Sequence, residues 1–137
     1  MELEVEDVTW GTPYYVAPEK IKREPETFLS DMYSLGATLY HAMTGHVPFD
    51  APTIEEVIVA QVQTPLTPPN LVVPEISQPT SDALLKVLAK NPRDRFLSYD
   101  EFIMALEAAR SLLLRQQSQF PKTQEKSKGL TSWWKRQ

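Results

Sequence analysis

The chain contains no cysteine. That excludes disulfides, thiolate zinc sites and a thiol nucleophile. Glycine is scarce: the 137 residues hold only Gly11, Gly36, Gly45 and Gly129. These stand too far apart to form a glycine-rich loop around phosphates. The two histidines, His41 and His46, have no partners at ligand spacing. They read as a half-buried helix histidine and a turn histidine, and no metal site is expected. No apolar run approaches the length of a membrane span. The start, Met1-Glu2-Leu3-Glu4, is acidic rather than signal-like. A cytoplasmic location is the simplest expectation. The formal charge of −4 argues against nucleic acid as a partner.

What is present suits one globular domain. A hydrophobic content of 42% is ordinary, and the length allows a modest core. Charge is unevenly shared. From Arg115 to Gln137 there are six Lys/Arg and one Glu, whereas the residues before carry a net −9. An acidic body with a basic tail marks a boundary.

Local signals predict helices and no strand. Pro18 suits the first position of a short helix, where its missing N–H costs nothing. Glu24-Pro25-Glu26 reads as a loop. A helix is predicted over 30–44, with Ser30 or Asp31 as cap and Gly45 as the stop. Met32, Tyr33, Leu35, Ala37, Leu39, Tyr40, Ala42 and Met43 surround it, the pattern of a buried helix. A second helix spans 53–63, with Thr53 and Glu56 spaced as a capping box and Ile54, Val57, Ile58 and Val62 on one face. Residues 64–79 hold five prolines and predict an extended loop. Thr80 or Ser81 opens a third helix to about residue 90, with Leu84, Leu85, Val87 and Leu88 inward. Ser98, with Glu101, opens a fourth to about residue 116, through Phe102, Ile103, Leu106, Ala109 and Leu113.

Four motifs then occur in order. Thr9-Trp10-Gly11-Thr12-Pro13-Tyr14-Tyr15-Val16-Ala17-Pro18-Glu19 resembles the end of a protein kinase activation segment. Ser30-Asp31-Met32-Tyr33-Ser34-Leu35-Gly36-Ala37-Thr38-Leu39-Tyr40 is similar to the start of the central helix of the kinase C-lobe. Gly45-His46-Val47-Pro48-Phe49 resembles the turn closing that helix. Asn91-Pro92-Arg93-Asp94-Arg95-Phe96 resembles the segment before the last helix. Together they cover roughly residues 9–114, and their phrasing looks most like bacterial serine/threonine kinases. The resemblance implies a mainly α fold, a kinase C-lobe fragment packed around a buried central helix. It divides the chain into an activation-loop remnant (1–8), a partial kinase domain (9–116) and a flexible basic tail (117–137).

The resemblance also assigns roles. Gly11, Thr12, Pro13, Tyr14 and Tyr15 match the loop that receives the substrate residue after the phosphate acceptor, and Thr12 matches the threonine that helps to place the acceptor. Glu19 and Arg95 match a structural ion pair between the activation segment and the last helices. Asp31 matches the helix-start aspartate that holds the catalytic loop. Thr9 is a candidate phosphosite. No residue is assigned to catalysis. The chain has no H-R-D or D-F-G triplet, so the residues that hold ATP and Mg²⁺ in the parent family are missing. The parent reaction is ATP-dependent phosphorylation of protein Ser or Thr, and this chain alone is expected to be inactive and to bind no cofactor.

Two alternatives stand beside an inactive kinase fragment. One is a non-catalytic interaction module. The other is half of a split kinase completed by a second chain. The expected partners are thus a protein substrate or the missing kinase half. Self-association is expected because part of the central helix's cover would lie upstream of Met1. The tail's Trp133-Trp134-Lys135-Arg136 suggests weak membrane-surface contact, with a solvated linker as the blander reading.

Overall fold

The computed structural model describes residues 13–119, and within them the protein is helical with no strand. A 3₁₀ turn at Pro13–Tyr15 leads into α1 (Pro18–Ile21). The other helices are α2 (Phe28–Thr44), α3 (Ile54–Gln63), α4 (Pro69–Val72), α5 (Gln78–Val87) and α6 (Tyr99–Gln119). A second 3₁₀ turn, Pro92–Asp94, precedes α6.

Several boundaries differ from the local expectation. The long helix starts at Phe28, not Ser30, and its cap is Thr27 rather than Ser30 or Asp31. Thr27 Oγ1 accepts from the Leu29 N–H at 3.1 Å. Ser30 sits at the third helical position and accepts from the Thr27 N–H at 3.4 Å, closing a capping box. The stop is Gly45 as expected, left-handed with φ 76°. Helix α3 carries the expected box: Thr53 Oγ1 accepts from the Glu56 N–H, and Glu56 accepts from the Thr53 N–H. The proline-rich stretch is not extended throughout, because α4 forms within it. Helix α5 starts at Gln78 with Ser77 as cap, not Thr80 or Ser81. Pro79 lies in its first turn, where a missing donor breaks nothing, so the helix begins before it. Helix α6 runs three residues beyond the expected end and so takes in the first residues of the predicted tail.

The core joins Met32, Tyr33, Ala37 and Tyr40 of α2 to Ala83, Leu84, Val87 and Leu88, then to Phe96 and Phe102. Gly36 sets the α2–α5 spacing: a Cβ there would stand 2.5 Å from Val87 Cγ1. The Tyr40 hydroxyl donates to the Thr67 carbonyl at 2.9 Å and ties the proline-rich stretch to α2.

Burial corrects the predicted faces. On α3, Ile54 is 56% exposed, and the buried stripe starts a turn later at Val57 and Ile58. Ile103 and Leu113 face solvent, while Phe102 and Ala109 are buried. The central helix α2 is covered on one side. Its other side presents Leu35 and Met43, 43% and 41% exposed, with Ala42 exposed and Leu39 half-buried.

Candidate functional site

The turn Pro13–Tyr15 and the segment to Glu19 form the candidate site. Of its expected residues, Thr9, Gly11 and Thr12 lie outside the described residues, as does the tail from residue 120. Pro13 is buried, and Tyr14 and Tyr15 are half-buried.

Three side chains seat the turn by polar contacts. The Ser34 hydroxyl of α2 donates to the Tyr15 carbonyl at 2.7 Å. About two turns further along α2, His41 Nδ1 lies 2.7 Å from the Tyr15 hydroxyl, with the rings stacked at 6.1 Å. From α3, the Gln61 side-chain amide donates to the carbonyls of Pro13 (3.1 Å) and Tyr14 (2.9 Å). Its oxygen accepts from the buried Tyr33 hydroxyl. Burial pushes the Tyr33 phenol pKa well above its ordinary value, which keeps it a neutral donor.

The rear of the segment is fastened by Glu19 and Arg95, both 2% exposed. Arg95 Nη1 and Nη2 donate to separate carboxylate oxygens of Glu19 at 2.6 and 2.8 Å. This two-point geometry is the stronger form of a charge-assisted bond. The remaining guanidinium bonds reach the carbonyls of Leu29, Ala89 and Lys90. Ser30 adds its hydroxyl to Glu19 at 3.0 Å. Burial alone would raise the Glu19 pKa. The Arg95 hydrogen bonds and charge, with the Ser30 bond, outweigh it and hold the carboxyl below its ordinary value.

Asp31 is exposed in the first turn of α2, where its charge meets the positive end of the helix, while Thr27 performs the capping. His46 is exposed in the turn after α2, and His41 is the expected half-buried helix histidine, with Tyr15 as its partner. Among the described residues no three His, Asp or Glu side chains are grouped to hold a metal. No described helix is long and apolar enough to cross a membrane. The sequence reading missed Gln61 and Ser34, and took Ser30 for a cap without its bond to Glu19. For Gln61 there was a signal: a lone polar residue on the apolar stripe of Val57, Ile58 and Val62. For Ser34, and for the partner of Ser30, there was none, since a serine on a helix does not announce what it bonds.

Residues 2–106 are similar to the family described as protein kinase domain. Over 99 residues the chain is 36% identical to the serine/threonine-protein kinase Pkn1 of Myxococcus xanthus, covering 72% of this chain and 14% of that protein. It is 33% identical over 97 residues to a probable serine/threonine-protein kinase of Clostridium perfringens, covering 71% and 14%. It is 33% identical over 100 residues to PknD of Mycobacterium tuberculosis, covering 72% and 15%. The chain thus spans about one-seventh of the length of these curated relatives.

Proposed function

The chain belongs to the protein kinase domain family, and from that premise we propose that it is the substrate-facing helical part of a serine/threonine kinase, unable to transfer phosphate by itself. The parent reaction is ATP-dependent phosphorylation of protein Ser or Thr, in a cytoplasmic setting. The turn Pro13–Tyr15 is the surface that receives the protein substrate, and Thr9, Gly11 and Thr12 extend it. The observation that carries this reading is the seating of the turn. A surface that reads a peptide must be held in shape before the peptide arrives, because ordering it on binding would weaken affinity. Here the turn's carbonyls are engaged from two helices, and the segment that follows it is fastened at Glu19 by a buried ion pair.

The residues present do not fit ATP–Mg²⁺. The 137 residues contain no H-R-D, no D-F-G and no clustered glycines. Phosphoryl transfer depends on cations and backbone donors arranged around the phosphates, so no step through the nucleotide is assigned to this chain. Isothermal titration with ATP–Mg²⁺, beside a radiolabelled transfer assay on protein substrates, tests the proposal. The expected outcome is no binding and no transfer. Stoichiometric low-micromolar binding would overturn it.

The open side of α2 supports a second reading. Leu35, Ala42 and Met43 form an apolar face suited to cover by another polypeptide. In this reading the chain is one half of a split kinase, or an interaction module, and its partner seats there. Transfer activity that appears only when a chain bearing the missing motifs is added distinguishes the split enzyme.

A further inference from the structure

A glutamine with no exposed surface is uncommon unless its amide is fully used. Gln61 is fully buried, and its bonding is complete. Carbonyl oxygens only accept, so the nitrogen must face Pro13 and Tyr14, and its two hydrogens match the two carbonyls. That orientation turns Oε1 toward Tyr33, whose hydroxyl donates to it. Tyr33 is itself packed on all sides: it has no exposed surface, and the Arg95 guanidinium stands 4.9 Å from its ring centroid while bound to Glu19. The chain of contact thus runs from the α2 core through one amide of α3 to two successive carbonyls of the turn. Among common side chains of this reach, none replaces it. Glutamate would bring oxygen against oxygen. Methionine would fill the space but leave the Tyr33 hydroxyl and both carbonyls without this partner.

We propose that Gln61 is a positioning residue for the Pro13–Tyr15 turn, holding it by two carbonyls from a fixed point on the Tyr33 hydroxyl. The contact makes α3, 48 positions away in sequence from Pro13, part of the scaffold of that surface. Its consequence for substrate rests on the substrate-surface reading above, but the geometric claim does not.

Hydrogen–deuterium exchange on the full chain tests this without any substrate, so its outcome is independent of the kinase reading. The amides to follow are Tyr14, Tyr15, Val16 and Ala17; Pro13 and Pro18 have none. Gln61→Met is the primary variant, since it keeps the volume and adds no charge. Protection at these four amides should fall about tenfold or more, the equivalent of one buried hydrogen bond, while Leu84, Leu88 and Phe102 keep theirs. Gln61→Glu adds a pH profile that a space-filling role would not produce. Its protonated acid can donate to one carbonyl and accept from Tyr33, whereas its carboxylate repels both carbonyls. Protection of the turn, corrected for intrinsic exchange, should therefore drop as pH rises through the new carboxyl's titration, with the wild type flat over the same range. Unchanged protection in Gln61→Met overturns the proposal. So does an equal loss at the turn, α5 and α6, which would make Gln61 an ordinary core residue. Should Gln61→Glu fail to fold, Gln61→Met decides by the same criterion.

Discussion

Arg95 uses all five of its N–H donors: two on Glu19, and three on the carbonyls of Leu29, Ala89 and Lys90. Truncating either charged partner would strand the other in a site closed to water. Glu19→Ala and Arg95→Ala should each cost about 3–5 kcal/mol, and the double variant should cost less than the sum. Denaturant melts of the four proteins measure this, and small additive losses would contradict it. The depressed Glu19 pKa predicts a pH effect. A carboxyl whose folded pKa lies below its unfolded value stabilises the protein above the unfolded value, and that contribution disappears as pH falls through the folded one. Stability should therefore decline on acidification below the ordinary carboxylate range. A Glu19→Gln variant should show a shallower decline, because a neutral amide carries no such linkage.

Helix α2 approaches α5 more closely at Gly36 than a side chain allows. A Cβ would lie 2.5 Å from Val87 Cγ1, closer than real contacts come, and 3.4 Å from Cγ2. Val87 is fully buried and β-branched, so it has little rotamer freedom to yield. Gly36→Ala gains up to about 1 kcal/mol of helix propensity. Overpacking costs about 1–3 kcal/mol, so the balance should be destabilising. Thermal melts should show a lower midpoint for Gly36→Ala, and Val87→Ala added to it should recover part of the loss relative to Val87→Ala alone. A neutral or stabilising Gly36→Ala would mean that the helices separate at little cost.

At the scale of the whole molecule, the protein buries a core on one side of its central helix α2 and leaves apolar groups on the other. Leu35 and Met43 of α2 are exposed, and Leu112, Leu113 and Leu114 stand exposed along α6. Single exposed apolar residues are normal, but grouped ones mark a surface that gains from being covered. The isolated chain should self-associate or bind an apolar dye, as light scattering and dye fluorescence would report. Leu35→Lys together with Met43→Lys should reduce both without lowering the melting midpoint, because neither side chain belongs to the core. A dye-silent monomer would show that this face needs no cover.

Helix existence was legible because its signals are local. Pro18, Gly45 and the Thr53–Glu56 box act within about one turn of themselves, and each does in the structure what its chemistry suggests. The family was legible because four motifs in order exceed chance, which the kinase-domain match over residues 2–106 bears out. Local reading failed where competing caps stood close together: Thr27 against Ser30, and Ser77 against Thr80. Packing chose between them, in the first case by assigning the Ser30 hydroxyl to Glu19. It failed also for the faces of α3 and α6, since periodicity gives the direction of a stripe but not where neighbours begin to cover it. The seating of the candidate site was decided by tertiary structure, although the family resemblance had already paired Glu19 with Arg95. Tyr33 and Gln61 are 28 positions apart, Gln61 and Pro13 48, and Glu19 and Arg95 76. A bond between such residues depends on how the helices pack, and no pattern within a single helix encodes it.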